Sequence, residues 1–290
     1  MKNLNITLFV IISLFTSPVF SQSVELTFKP KKGSQYLEML RLNQEINTEM
    51  LSTGLEQQMI NNVAVFANSE ILERNHKGHI LLKQKFTRMT MDMDLMGAKS
   101  KVDTDNEGEL SDMEAEVLKE LKPLIYKELI SEIANDGTVL GYEADEDLKE
   151  TFDMFTSSIN NSSYGVLPNK KVNINDTWDF VSEADSSNGL IMLINFKYQL
   201  KKIEGNHAIV DISGTITQKK ESEKDKNEDQ QSQEITLKNS KLQGTGIIDI
   251  ESGIYLDMEL NMNMNLLIKV NDAETSTTIN QRIIRIVSEI

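Results

Sequence analysis

The chain has 290 residues, 39% of them hydrophobic and 26% charged, and this composition is typical of a globular protein rather than a disordered one. Its formal net charge of −15 argues against nucleic acid and anionic membrane surfaces as partners, because both repel an acidic protein. The absence of cysteine excludes a disulfide framework, a lipidated cysteine, thiol catalysis and thiolate metal sites.

Residues 1–21 have the three parts of a secretory signal peptide. A basic start at Lys2 is followed by an apolar run, Ile6 to Phe15, and by a short segment that ends with Ser21. Val19 and Ser21 are small enough for the positions that signal peptidase recognises, which predicts cleavage after Ser21. A transmembrane anchor is disfavoured, because polar residues leave the uncharged stretch short of the ~20 predominantly apolar residues that span a bilayer. We therefore predict a protein exported to the periplasm or beyond, with no transmembrane segment in its mature form.

The first clear strand pattern runs from His79 to Leu95. Apolar and polar residues alternate there with a period of two, which predicts a strand with one buried face. The parity of the apolar positions changes within the run, and a β-bulge near Thr87-Arg88 would place all of them on one face. These positions are Ile80, Leu82 and Phe86 before the change and Met89, Met91, Met93 and Leu95 after it.

The acidic run Asp103 to Glu114 matches part of the spacing of an EF-hand calcium loop, including a glycine at Gly108 and a final glutamate. However, Glu107 stands where aspartate or asparagine is usual, and the preceding segment reads as a strand instead of a helix. We therefore favour a solvated acidic loop and predict no metal site, with calcium binding as the open alternative.

A helical segment is predicted from Ser111 to Ile130, because apolar residues recur there at spacings of three and four. Pro123 predicts a kink or two short helices, since an internal proline costs about 3 kcal/mol. The next turn, Asn135-Asp136-Gly137, is a strong hairpin signal between two short apolar runs. Asp145 to Ile159 is predicted as a second helix.

The segment Asn160 to Lys171, rich in Asn, Ser, Gly and Pro, is the best candidate for an interdomain linker. It divides the mature chain into an N-terminal β-rich half with the helical segment, residues 22–159, and a C-terminal β-rich half, residues 160–290. In the second half, Phe196 to Gln218 predicts a hairpin. Residues 219–234 contain no apolar side chain and are predicted to form a mobile hairpin tip.

The most regular strand pattern runs from Leu256 to Val270, where apolar and polar residues alternate strictly as far as Leu266. Its apolar positions include Met258, Met262 and Met264. From these elements we predict an α+β protein of mostly long antiparallel strands, forming two curved sheets or half-barrels joined by a helical segment.

Three segments resemble a known family: Leu26 to Tyr36, Leu167 to Trp178, and Gly246 to Ile254. They resemble uncharacterised exported proteins, common in Bacteroidetes, that carry a domain of unknown function. A proline, a valine, a turn ending in Gly-Asp and a tryptophan recur in that family, and the matching residues here are Pro168, Val172, Asn175, Asp176 and Trp178. Asn175 departs from the usual glycine, but asparagine tolerates positive φ, so the turn before the strand is retained. The resemblance implies no catalytic residue.

Our functional hypothesis is an exported, non-enzymatic binding protein. Methionine side chains fill irregular space and tolerate different ligands, so a methionine-rich sheet face is a candidate for holding a hydrophobic or lipid-like ligand. The candidate residues are Met89, Met91 and Met93 on one strand and Met258, Met262 and Met264 on another. Ordinary sheet core is the competing interpretation of these residues. The alternative function is a structural or protein-interaction component of the cell envelope with no small-molecule ligand. We predict no cofactor and name no catalytic residue, since neither a Gly-x-Ser-x-Gly elbow nor a phosphate-binding glycine loop occurs.

Overall fold

The computed structural model describes residues 23–106, 108–144, 165–185, 191–219, 233–270 and 273–290. The predicted signal peptide, its cleavage site and the predicted second helix lie outside these residues, as does most of the predicted hairpin tip. No helix within the described ranges is long and apolar enough to cross a membrane.

The described residues form fourteen strands and one short α-helix. The strands are β1 Ser23–Leu26, β2 Gln35–Met50, β3 Leu55–Arg74, β4 Ile80–Leu95, β5 Ala98–Asp103, β6 Glu128–Ile133, β7 Val139–Glu143, β8 Lys170–Asn173, β9 Thr177–Asp185, β10 Ile191–Glu204, β11 His207–Gln218, β12 Gln233–Asp249, β13 Tyr255–Val270 and β14 Ala273–Glu289. The helix α1, Asp112–Leu121, continues into a 3₁₀ turn, Lys122–Leu124.

Twelve strands form one open antiparallel sheet in the order β7-β6-β4-β3-β2-β14-β13-β12-β11-β10-β9. The twelfth strand, β5, pairs with the second half of β4, next to the place where β6 pairs with the first half. β1 and β8 form a separate two-stranded ribbon. Hairpins link most neighbours, as the turn signals at Asn135–Gly137 and Glu251–Gly253 indicate.

The prediction of an α+β fold with two sheets is wrong, because the long antiparallel strands form one large sheet and the fold is nearly all-β. β2 from the first half pairs with β14 from the second half along fifteen positions, from Tyr36 with Glu289 to Met50 with Thr275. This seam merges the two predicted sheets. The interdomain division at residue 160 stays a prediction.

The helical segment is also shorter than predicted. α1 begins with a capping box, in which the side chains of Ser111 and Glu114 each accept a hydrogen bond from the other's backbone N–H. The 3₁₀ turn contains Pro123, and Tyr126 has a φ of 64°. Proline cannot donate to the helical ladder and a positive φ is not helical, so the chain leaves the helix here and enters β6.

The predicted bulge in β4 is confirmed. Phe66 pairs with Arg88 and Ala67 with Phe86, so Thr87 is the extra residue. An extra residue changes the side-chain parity of a strand, and Phe86 and the later methionines consequently face the same side of the sheet.

The two faces of the sheet differ in polarity. We define the inner face by Met258 and Leu260 of β13, which are each 1% exposed, and the outer face by Asn261 and Asn263. Side chains alternate along each strand, and residues that pair across two strands face the same side of the sheet. The pairing registers therefore assign the residues of every other strand to one face or the other.

The near end of the sheet, defined by the β12–β13 turn, has its inner face covered by β1, β8 and a strap of residues 165–168. Backbone N–H groups of Phe28 and Leu167 each donate to the β6–β7 turn at 2.7 Å. Gly253, with φ 73°, lies so close to the chain after β1 that a Cβ atom would be 2.1 Å from the Thr27 carbonyl oxygen. The opposite, far end carries the β2–β3 and β4–β5 hairpin tips, residues 50–55 and 95–98.

Candidate functional site

All six methionines of the predicted ligand site lie on the inner face. They are Met89, Met91 and Met93 on β4, and Met258, Met262 and Met264 on β13. Met89 and Met258 are each 1% exposed, whereas Met91 and Met93 are half-buried. The accessible part of the methionine surface on β4 is therefore its far-end portion.

The structure places these methionines in two groups, separated by β3, β2 and β14. The three of β13 belong to the large core that includes β1, β8 and the strap. Met89 belongs to a smaller cluster in which Leu124 of the 3₁₀ turn is fully buried. A ligand that contacts both groups must therefore lie on the surface of β3, β2 and β14 between them.

A row of amide side chains crosses the inner face between the two methionine groups. Asn61 of β3, Gln44 of β2 and Gln281 of β14 are direct cross-strand neighbours. The row ends at Met93 of β4 on one side and meets Met262 of β13 on the other. Each amide lies between two apolar residues of the same face of its strand, but only the register reveals that the three amides are adjacent.

The side-chain oxygen Oδ1 of Asn61 is buried and has no hydrogen-bond partner among the described residues. An unpaired buried acceptor costs about 1–3 kcal/mol. A hydroxyl or N–H group from outside the protein would satisfy this acceptor only if the half-buried side chain of Asn61 turned towards it.

Apolar rows flank the amide row on both sides. The far-end row contains Met59, Ile46, Ile279 and Met264, and the near-end row contains Met91, Val63, Leu42, Ile283 and Leu260. Their members on β4, β3 and β2 are half-buried. These three rows thus form an apolar surface with a polar line through its middle, and small-molecule sites commonly have this composition.

A buried ion pair lies on the same face, closer to the near end. Arg285 of β14 donates to Glu38 of β2 at 3.0 Å, and the two side chains are 8% and 11% exposed. The hydroxyl of Ser69 on β3 donates to the same carboxylate. Because each charge is compensated inside the fold, the cluster ties β14, β2 and β3 together without offering a net charge to a ligand.

Trp178 anchors the strap at the near end. Its Nε1 atom donates to the Val166 carbonyl at 2.8 Å, and its ring stacks on Tyr198 at a centroid distance of 5.4 Å. The hydroxyl of Tyr255 donates to the same carbonyl at 3.5 Å. Burial raises the pKa of Tyr198 and of Tyr255, so both hydroxyls stay protonated.

The turn before Trp178 positions this anchor. Asn175 has φ 73°, and its N–H donates to the Leu200 carbonyl at 2.6 Å. The carboxylate of Asp176 accepts the N–H of Asn173 at 2.8 Å, and β9 begins at the next residue. Pro168 ends the strap and is half-buried.

The carboxylates at the two ends of the acidic loop are bonded to protein groups. Arg88 donates to Asp103 at 3.0 and 2.6 Å and thereby lowers the pKa of this carboxyl. Glu114 accepts the backbone N–H groups of Lys101 and Ser111 at 2.8 Å each, and these bonds lower its pKa to about 2. Both groups therefore have roles in linking β4, β5 and α1.

His79 is bonded to a protein group. His79 lies 2.6 Å from Glu132, and this hydrogen bond lowers the pKa of the Glu132 carboxyl. Among the described residues, which exclude residue 107 of the acidic loop, no group of three or more His, Asp or Glu side chains is placed to hold a metal ion.

Part of the chain is similar to a family of unknown function. The model of a family of unknown function, DUF6263, matches residues 141–274, which agrees with the predicted domain of unknown function. No curated protein matches the chain. Export and the bacterial group named above stay predictions.

Solved structures give only a distant likeness. An outer membrane channel from Pseudomonas putida F1 is 8% identical, with a TM-score of 0.29, and the alignment covers 91% of this chain and 98% of that one. OccK5 (OpdH) from Pseudomonas aeruginosa is 8% identical with a TM-score of 0.20, covering 88% and 98%. These scores are too low to assign a shared fold.

Proposed function

We propose that the protein is an exported, non-enzymatic binding protein that holds an amphiphilic, lipid-like ligand on the inner face of its sheet. The apolar chain of the ligand lies on the half-buried rows around Met91, Met93 and Ile46. A hydroxyl or amide N–H of the ligand donates to Asn61 in the amide row.

The unpaired Asn61 oxygen is the observation that carries this proposal. A polar atom in an apolar face is normally paired within the protein, as Glu38 and Arg285 are. Asn61 instead has a buried acceptor without a partner among the described residues, on the same face as the half-buried Met91 and Met93. A ligand that supplies one donor and an apolar chain satisfies both features at once.

A second candidate function, a protein-interaction component of the cell envelope, is favoured by a different observation. The hairpin tips of the far end expose five large apolar side chains, namely Met50, Leu51, Leu55, Leu95 and Met96, with exposed fractions of 43–64%. Exposed apolar groups in contiguous patches are typical of interaction surfaces. This candidate requires no ligand on the inner face.

Native mass spectrometry of the protein purified from its own host separates the two candidates. The binding proposal expects a bound species that is released under denaturing conditions and has the mass of a lipid. Repeated absence of any bound species, together with failure of the delipidated protein to bind a long-chain alcohol, would overturn the proposal and favour the second candidate.

The role of Asn61 is tested with a pair of probes, a long-chain alcohol and its methyl ether, which differ only in the hydrogen-bond donor. The delipidated protein is expected to bind the alcohol about fivefold to tenfold more tightly, since one net hydrogen bond contributes about 1 kcal/mol or slightly more. Asn61→Leu should abolish this preference while still binding the apolar chain.

Asn62→Leu is the matched control, because residue 62 is adjacent in β3 but faces the outer side. It should leave the preference for the alcohol unchanged. Equal affinity of the unsubstituted protein for the two probes would show that Asn61 is not the ligand's acceptor.

A further inference from the structure

The outer face of the sheet contains a continuous polar trough that crosses the strands near their midpoints. A central depression of about 490 Å³ lies over β12, β13, β14, β2 and β3. It shares Gln243 and Asn261 with a depression of about 630 Å³ on the β9 side, and Ile60 and Asn62 with one of about 530 Å³ on the β5 side. The three depressions are therefore parts of one trough.

The twist of a large sheet explains where the trough lies. A sheet that curls around its inner core is saddle-shaped, so its outer face is concave along the strand direction. At the usual strand spacing, the row of paired residues that crosses ten strands from β9 to β5 is about 43 Å long. Geometry alone accounts for the concavity, but it does not account for the residues that line it.

The central trough is lined by amide side chains that local strand propensity disfavours. Asparagine is depleted in strands, yet Asn43, Asn62, Asn261, Asn263 and Asn280 all face the central depression. Natural proteins tend to break local rules at functional sites. The amide groups, and not the concavity alone, are therefore the feature that a binding role would explain.

Cross-strand bonds fix the orientation of these amides. Asn43 donates to Asn62 at 2.6 Å, and Asn263 donates to Asn280 at 2.7 Å. Each amide has two N–H donors and two acceptor lone pairs, so each such bond still leaves donors and acceptors for a ligand. The trough is thus a preorganised set of alternating donors and acceptors.

The charges of the central trough are balanced. Arg282 makes two hydrogen bonds of 2.9 Å with Glu259. Glu45 accepts bonds from Asn47 at 3.0 Å and from Gln58 at 2.9 Å. Glu259 lines the adjoining depression, and with Glu45 it balances Arg282 and Lys241, so the centre of the trough has no net charge that would select a phosphate or an ammonium group.

We propose that this trough is a second binding site, for an extended, neutral oligosaccharide that lies across the strands. A sugar chain presents hydroxyl groups that donate and accept along its whole length, which matches the amide rows. None of the described residues lining the three depressions is aromatic, so no ring stacks on the sugars. A dissociation constant on the order of 1 mM is expected for a short chain.

NMR titration of the nitrogen-15-labelled protein tests the site directly, because the side-chain amides are observed as individual signals. The probes are cellohexaose, maltohexaose and chitohexaose. At least one of them should shift the side-chain signals of Asn43, Asn62 and Asn261. No shift with any of the three at ~10 mM would overturn the proposal.

Asn62→Ala and Asn261→Ala should each weaken binding at least about fivefold, corresponding to one lost hydrogen bond. Asn68→Ala is the matched control, since Asn68 is an exposed outer-face asparagine of the same strand β3 but lies beside Leu37, away from the trough. Unchanged backbone spectra verify that each variant folds. Equal binding by all three folded variants would contradict the assignment.

The site is independent of the proposed lipid site, because the two use opposite faces of the sheet. Asn61→Leu should leave sugar-induced shifts unchanged, and Asn62→Ala should leave the preference for the long-chain alcohol unchanged. Failure of one proposal is therefore distinguishable from failure of the other.

Discussion

Removing one partner of the buried ion pair between Arg285 and Glu38 should strongly destabilise the fold. The substitution Arg285→Met keeps a long side chain but leaves the Glu38 carboxylate, which is 11% exposed, without its cation. Loss of one partner from a buried pair costs about 3–5 kcal/mol, because the remaining charge stays desolvated. Typical proteins have a total stability of only about 5–15 kcal/mol, so the effect should be large.

Urea unfolding followed by circular dichroism measures this loss. With an m-value of about 3 kcal/mol/M, a loss of ~4 kcal/mol lowers the midpoint by ~1.3 M. The double variant Glu38→Gln with Arg285→Met should recover most of the midpoint. Glutamine is uncharged and still accepts the hydroxyl of Ser69.

Arg282→Met is the matched control on the same strand. Arg282 also pairs with a glutamate, Glu259, but it faces outwards and the two side chains are 50% and 36% exposed. A surface pair contributes about 0–1 kcal/mol, so its loss should lower the midpoint by no more than ~0.3 M. Equal midpoints for Arg285→Met and Arg282→Met would refute the reasoning that burial sets the value of the pair.

Three further predictions concern the near end and the helix. Trp178→Phe keeps an aromatic ring beside Tyr198 but removes the donor to the strap, and it should lower the free energy of unfolding by about 1–2 kcal/mol in urea unfolding. Asn175→Val should lower it by about 1–2 kcal/mol, since φ is 73° there, whereas Asn175→Gly should not; equal melting temperatures of the two variants would contradict this. The ionised carboxylate of Glu114, whose pKa is lowered from 4.5 to about 2, stabilises the contact of α1 with β5. This contribution is fully present at pH values above 4.5 and should disappear as the pH falls towards about 2. NMR titration of the carboxyl measures that pKa, and Ser111→Ala should raise it by removing the hydroxyl donor.

Local features of the fold were predictable because neighbouring residues determine them. Strict alternation identified the strand that begins near Leu256, and the change of parity near Thr87 located a bulge that the strand register confirms. Asn175 was identified as a tolerated replacement for glycine, and it has the positive φ that this role requires. Each of these features depends on a short stretch of chain.

Features that depend on distant pairing were not predictable in the same way. The wrong fold class resulted from the seam between β2 and β14, which no local pattern indicates. The amide row has the same origin, because Asn61, Gln44 and Gln281 are adjacent only through this seam and the β2–β3 hairpin. The outer trough was likewise missed, since alternating polar residues on a solvated strand face are common.

The seam between β2 and β14 also has a consequence for folding. Glu38 and Arg285, which meet across it, are 247 positions apart in the chain, so the central pairing of the sheet has a high contact order and a slow rate is expected. Before β14 joins, β2 and β13 each present a long edge of unpaired N–H and C=O groups, and such edges promote aggregation. A chain truncated before Ala273 would therefore be expected to self-associate through these edges instead of forming half of the native sheet.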